Sequence, residues 1–239
     1  LPQPDESCFV GFGGRSIDDT PPKYLNSPET VLFHKNNELF GLFESKQVNK
    51  QCARLIVVEG YMDVISLHQF NITEAVATLG TAINKHHIQK LLRYTNNIIF
   101  CFDGDKAGRQ AAWKALLASL PLLRDGTCFQ FFQIPEGEDP DSLIRALGTD
   151  TFNEKLSSSP EITQKMFNEL RQQHSSDTLA GQASRAKAAM GLIGTMPEGI
   201  YKALVTEQLA KEIDISKDAI KTPTQAQAPP QATPTTTDT

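Results

Sequence analysis

Between residues 53 and 148, short apolar runs alternate with stretches in which apolar residues recur every three or four positions. The runs at 55–58, 75–79, 98–102 and 128–134 have the length of strands, and the stretches at 62–70, 84–94 and 106–120 have the period of helices. Ile88, Leu91 and Leu92 form an apolar stripe on the second predicted helix, and Ala112, Leu116 and Leu120 form one on the third. Strands that are apolar throughout and separated by helices predict βαβ units, hence an α/β fold with a mainly parallel sheet flanked by helices. In such a sheet the strand C-termini share one edge, where ligands usually bind.

The flanking segments follow other patterns. Residues 1–50 carry turn signals at Gly13-Gly14, Asp18-Asp19, Pro21-Pro22 and Asn36-Asn37, which predict short antiparallel strands and loops leaning on the sheet. Gly13-Gly14 is expected to be a hairpin turn that presents Arg15. Residues 150–220 carry three or four helical patterns that open near Pro160 and Pro197, and Ile200, Leu204, Leu209 and Ile213 are expected to form the apolar face of the last. Residues 221–239, with four prolines and seven threonines, bury too little to offset chain entropy and are expected to be a disordered linker. The domains are therefore set at 1–50, 51–149 and 150–220. No run approaches membrane-spanning length, and Leu1 opens neither a signal peptide nor a typical start, so the chain is expected to be a piece of a longer one. Cys8, Cys52, Cys101 and Cys128 are scattered without metal-ligand spacing, which suits a reducing cytoplasm.

Charge changes this picture at three places. The first strand ends in Glu59-Gly60-Tyr61-Met62-Asp63, the third in Asp103-Gly104-Asp105, and the fourth leads to Asp139-Pro140-Asp141. All three groups follow strand ends, so the topology alone should gather them on one edge. Two carboxylates about 4 Å apart repel by about 1 kcal/mol in water and by about 4 kcal/mol at an effective dielectric near 20. A cluster of this size calls for a cation. With oxygen donors only, Mg²⁺ is expected first, Mn²⁺ next and Ca²⁺ last. Asp105 and Asp139 also stand where a helix N-cap would, and capping competes with ligation as their role. The chain holds 28 acidic and 23 basic residues, a net charge of -5, and without the six clustered acids the balance would be +1. Its acidity is largely the signature of this one site.

These motifs resemble the three signature motifs of the Toprim domain in bacterial DnaG-type DNA primases. Gly11-Phe12-Gly13-Gly14-Arg15, the run from Pro22 to Thr30, Phe33-His34-Lys35 and Leu39-Phe40-Gly41-Leu42 resemble the segment that precedes Toprim in the same family. The resemblance implies a catalytic core that makes short RNA primers on single-stranded DNA by nucleotidyl transfer, with release of pyrophosphate. It implies a divalent-metal site at Glu59, Asp103, Asp105, Asp139 and Asp141 with Asp63 close by, Glu59, Asp103 and Asp105 being central to catalysis. It implies a basic ridge for template and nucleotides at Arg15, Lys23 and Lys35, with Tyr24 and Asn26 along it. Residues 1–50 would then be the C-terminal part of the polymerase N-terminal subdomain, residues 51–149 the Toprim domain and residues 150–220 a helical subdomain.

The implied partners are single-stranded DNA template, nucleoside triphosphates, the RNA primer and, through a domain expected downstream, the replicative helicase. Zinc is expected only in a domain upstream, and the protein is expected as a cytoplasmic monomer at the replication fork. Lys106 and Arg109, beside the acids, could meet phosphate or balance charge. The histidines, Trp113 and the phenylalanines of 129–132 are expected to pack or to lie on the surface. A nuclease or topoisomerase-like Toprim enzyme and a non-catalytic Toprim repair scaffold are the alternatives.

Overall fold

The computed structural model describes residues 10–17, 21, 24–49, 52–175 and 178–213. Its centre is a five-stranded sheet of β3 (Leu39–Phe40), β4 (Leu55–Val58), β5 (Ala75–Thr78), β6 (Asn97–Phe102) and β7 (Cys128–Gln133). The order across the sheet is β3-β5-β4-β6-β7, with β3 antiparallel to β5 and the other pairs parallel. The helices α2 (Tyr61–Gln69), α3 (Lys85–Leu91) and α4 (Lys106–Ser119) join successive parallel strands, close to the predicted bounds, and Leu120–Leu122 add a 3-10 turn after α4.

Helices cover both faces, which is why β4 and β5 are buried at every position. On one face Ile56, Val58, Ile99 and Cys101 pack with Val64 and Leu67 of α2 and with Leu143, Ile144, Phe152 and Leu156 of α5 (Pro140–Ser157). On the other, Leu55, Val57, Ile98 and Phe100 pack with Ile88 and Leu91 of α3 and Leu116 of α4. That second core continues into α6 (Ile162–Gln173), α7 (Leu179–Gly194) and α8 (Ile200–Glu212), because Phe129 and Phe131 of β7 share one cluster with Ile162, Met166, Phe167, Ile193 and Leu209. The helices after residue 160 thus share a core with the sheet. The outer edge of β7 is closed by the chain leading into α6, where the Phe131 N–H donates to Pro160 O at 2.9 Å and Gln130 bridges to Glu161.

Several local expectations are corrected. Gly13 and Gly14 do not form a turn; they lie in β1 (Gly13–Arg15), paired antiparallel with Asn26 and Leu25 of β2 (Tyr24–Asn26). Gly13 has a packing reason, since a Cβ there would sit 2.7 Å from the Tyr61 ring. The N-terminal segment also contains a helix that turn signals hid, α1 (Leu42–Val48). The inner face of α8 is Val205, Leu209 and Ala210, while Ile200 and Leu204 are exposed, so the apolar stripe is rotated from the predicted one. Apart from these, Gly148, with a φ of 75°, breaks the helical path of Pro140–Ser157 just before residues 149–150. The linker at 221–239 and Cys8 lie outside the described residues.

One cap spans a long sequence interval. Asp125, in the turn before β7, accepts from the N–H groups of Tyr201 at 2.8 Å and Ile200 at 3.2 Å, and so caps α8 from a distant part of the chain. Asp125→Ala is expected to cost about 1 kcal/mol, measured as a lower urea midpoint with an unchanged slope, whereas Asp125→Asn should retain most of that stability.

Candidate active site

The chain runs from β4 to β5 on one side and returns to β6 on the other, so the strand order reverses between β4 and β6. A crevice at that reversal, outside the strand C-termini, is where open α/β sheets bind ligands. Glu59 follows β4 and Asp103 follows β6, which places both at its mouth. They touch: the Asp103 N–H donates to Glu59 Oε1 at 3.2 Å. Asp63 lies in the first turn of α2, where its Oδ2 accepts from the Gly60 N–H at 3.0 Å and closes the start of the helix.

The Asp103-Gly104-Asp105 turn is clamped to the loop after β7. The Gly104 N–H donates to Glu138 O at 3.0 Å, and a Cβ on Gly104 would stand 1.8 Å from Pro135 O. Gly108 is equally constrained, with a Cβ position 2.0 Å from Asp103 O. Only glycine lets these two backbone segments approach so closely. Through this contact the third acidic motif is carried to the first two.

Asp105 and Asp139 are helix caps. Asp105 Oδ1 accepts from the Gly108 N–H at 2.7 Å, and Asp139 Oδ1 accepts from the Ser142 N–H at 2.7 Å, with Pro140 at the first helical position. Capping occupies one oxygen of each, so it is compatible with ligation through the other. Asp141 accepts from Ser66 Oγ of α2 and from Arg145 Nε, the latter at 2.6 Å, and is half-exposed.

The electrostatics register the crowding. Burial, then the carboxylates of Asp103 and Asp105, push Glu59 up to about 7, against a single favourable hydrogen bond from the Asp103 backbone. Burial, then Asp103, Asp139 and Glu59, push Asp63 up to about 7 as well. Among the described residues no three Asp, Glu, His or Cys side chains close to metal-holding spacing. The acids share one edge, several of them turned toward caps and hydrogen bonds. The donor set nevertheless fits a hard divalent cation, being oxygen only.

The residues expected to form a basic ridge stand on several parts of the N-terminal segment. Arg15 lies opposite Tyr24 in the β1–β2 pair, and both are exposed. Asn26 is occupied at both ends: its Nδ2 donates to Leu79 O at 3.2 Å and its Oδ1 accepts from the Tyr61 hydroxyl. Tyr24 meets the Tyr61 ring edge-on at 5.8 Å between centroids. Lys35 sits in the turn after Phe33, which packs against Tyr61 and Leu79. Lys23 lies outside the described residues. Arg109 turns back on its own loop, its Nη1 donating to Gly104 O at 2.7 Å.

Tyr61, two residues from Glu59, is what joins this N-terminal segment to the acidic edge. Nothing in its own motif marks it, because its partners Asn26, Tyr24 and Phe33 are distant in sequence. The aromatic residues Phe129 and Phe131 are core, as expected.

Comparison with known proteins agrees with this geometry. The family described as Toprim-like matches residues 56–144, the DNA primase catalytic core N-terminal domain matches residues 4–46, and the DnaB-helicase binding domain of primase matches residues 166–218. A solved structure of the DnaG catalytic core is 42% identical with a TM-score of 0.82, covering 89% of this chain and 68% of that one. The chain belongs to the DnaG-type DNA primase family. A DnaG primase catalytic domain solved bound to single-stranded DNA is 43% identical with a TM-score of 0.82, covering 88% of this chain and 67% of that one. The DNA primase of Pseudomonas aeruginosa is 46% identical over 213 residues, which are 89% of this chain and 32% of that protein. The chain thus spans about a third of the length of the curated primases it matches. Primase membership disfavours the topoisomerase, nuclease and scaffold alternatives. The helicase-binding match falls on α6 to α8, whereas the sequence predicts that contact from a domain farther downstream.

The raised acids give a pH dependence of definite sign. The unfolded chain releases the Glu59 and Asp63 protons near their ordinary values of 4.5 and 3.8, while the folded, cation-free primase chain holds both up to about 7. Their contribution to stability is complete below the unfolded values and is lost as pH rises through about 7. In chelator, the melting temperature is expected to fall between pH 5 and pH 8. Asp63→Asn should flatten that fall, because the amide oxygen can still accept from Gly60 without the charge.

Proposed function

We propose that this chain is the catalytic part of a primase that joins ribonucleotides on a single-stranded DNA template and expels pyrophosphate. The observation that carries the reading is the contact of Glu59 with the Asp103 backbone at the strand-order reversal, with Asp63 raised by burial and then by the neighbouring carboxylates. A divalent cation bound there, Mg²⁺ or Mn²⁺, would activate the attacking 3′-hydroxyl and offset the charge of the triphosphate. Glu59, Asp103 and Asp105 are the residues proposed to hold it, with Asp63, Asp139 and Asp141 completing or supporting the donor set. Glu59 has a second proposed role. Set at the strand tip against the Asp103 backbone, its carboxylate is the proposed acceptor for the proton of the attacking hydroxyl.

Arg15, Tyr24 and Lys35, together with Lys23, are proposed to meet template and nucleotide phosphates, and Asn26 to hold that surface against Tyr61. The single-stranded DNA in the related catalytic domain supports a template of that kind. The match of residues 166–218 to a helicase-binding family supports the replicative helicase as partner.

The test uses the full-length protein with template, nucleoside triphosphates and Mg²⁺. Short RNA is expected, and Asp103→Asn should lower its yield by about 100-fold or more with the melting curve retained. Glu59→Gln separates the two roles of that residue: loss of synthesis with cation binding intact supports the proton acceptor, and loss of both supports ligation. Undiminished synthesis in Asp103→Asn would refute the assignment of the site.

A further inference from the structure

The turn that carries Lys35 is held by side chains from elsewhere in the chain. Asn84, His87 and Lys90 stand three residues apart along α3 and its cap, so they rise about 4.5 Å apart per step on one flank of the helix. They take three consecutive backbone carbonyls. Asn84 Nδ2 donates to Asn36 O at 3.0 Å, His87 Nε2 to Lys35 O at 3.2 Å, and Lys90 Nζ to Asn37 O at 3.1 Å. Lys90 Nζ also pairs with Glu38 Oε2 at 2.6 Å. From the opposite side, Glu29 Oε1 accepts from the Lys35 N–H at 3.1 Å.

His87 is the buried member, with 0% exposure. Its tautomer is fixed by its partners: Nδ1 accepts from the Asn84 N–H at 3.3 Å, which leaves the proton on Nε2 to be donated to Lys35 O. Burial of the imidazole favours this neutral form. Both backbone polar groups of Lys35 are therefore committed, one to Glu29 and one to His87. A lysine of four rotatable carbons loses much entropy on binding phosphate. A pegged backbone removes one part of that cost in advance and fixes the origin from which the ammonium reaches.

We propose that His87 is a positioning residue for template or nucleotide binding, acting through the backbone of Lys35. The inference rests on the reading of Lys35 as a phosphate contact. It assigns a role to a histidine that has no metal-ligand spacing and touches neither acid nor phosphate.

Single-stranded DNA binding by the full-length protein, followed by anisotropy over a range of salt, tests both steps separately. Lys35→Ala is expected to weaken binding about fivefold and to reduce the slope of log K against log salt by about 0.7, the value of one lost phosphate contact on a single strand. His87→Leu should reproduce both changes, and the double variant should bind no more weakly than Lys35→Ala alone. His87→Gln, which can still donate to Lys35 O, should restore most of the slope. Asn84→Ser keeps a helix cap while losing the reach to Asn36 O. It serves in the same cycle if His87→Leu does not fold, and its effect should likewise vanish in the Lys35→Ala background. An unchanged affinity and slope in Lys35→Ala would overturn the phosphate reading itself. A normal Lys35→Ala effect to which His87→Leu or Asn84→Ser adds independently, or a weakened affinity in either with the slope unmoved, would overturn the positioning role.

Discussion

The architecture turns on one electrostatic constraint, namely that carboxylates which repel are required to sit at one edge of a sheet. The backbone enforces the arrangement. A parallel sheet delivers Glu59 and Asp103 to the same rim because every strand in it ends there, and the reversal of strand order opens space between them. The clasp of Gly104 against Pro135 then brings the loop after β7 alongside. Two buried cores, one on each face, keep the strands from relaxing away from that edge. A cation bound at that edge would convert the repulsion into attraction.

What could be read from the chain divides along physical lines. The four parallel strands and their helices were legible because burial on both faces leaves an unbroken apolar run, as in Leu55-Ile-Val-Val. The acids were legible because no cap or surface explains Glu59 at a strand tip, and topology then predicts the rest. What was not legible depended on distant partners. Gly13 reads as a turn residue until the Tyr61 ring is seen to fill the space a side chain would need. The start of α8 carries no capping side chain of its own, since its cap is Asp125. Ile200 and Leu204 keep helical spacing yet face outward, because spacing fixes a stripe but packing decides which stripe is inside.

The same distinction separates the two halves of the site. Glu59, Asp103, Asp105 and Asp139 are placed by local chemistry, a strand end or a cap, and so show themselves in short motifs, while Asp141 also leans on Ser66 of α2. The N-terminal segment is placed by Tyr61, Asn26, Glu29 and the flank of α3, none of which announces its partner in sequence. Recognition of that segment came from resemblance, and only the three-dimensional contacts give it a cause.

The closed edge of β7 bears on how this protein can be joined by others. Pro160 and Glu161 already occupy hydrogen-bonding positions in the middle of that strand, which interrupts the ladder an extended peptide would need there. At the far side β3 is only two residues long, which is too short to template a partner strand. The sheet is finished at both margins. Neither margin offers a long uninterrupted edge, which leaves the side chains and shape of the helices as the larger surface for choosing a partner.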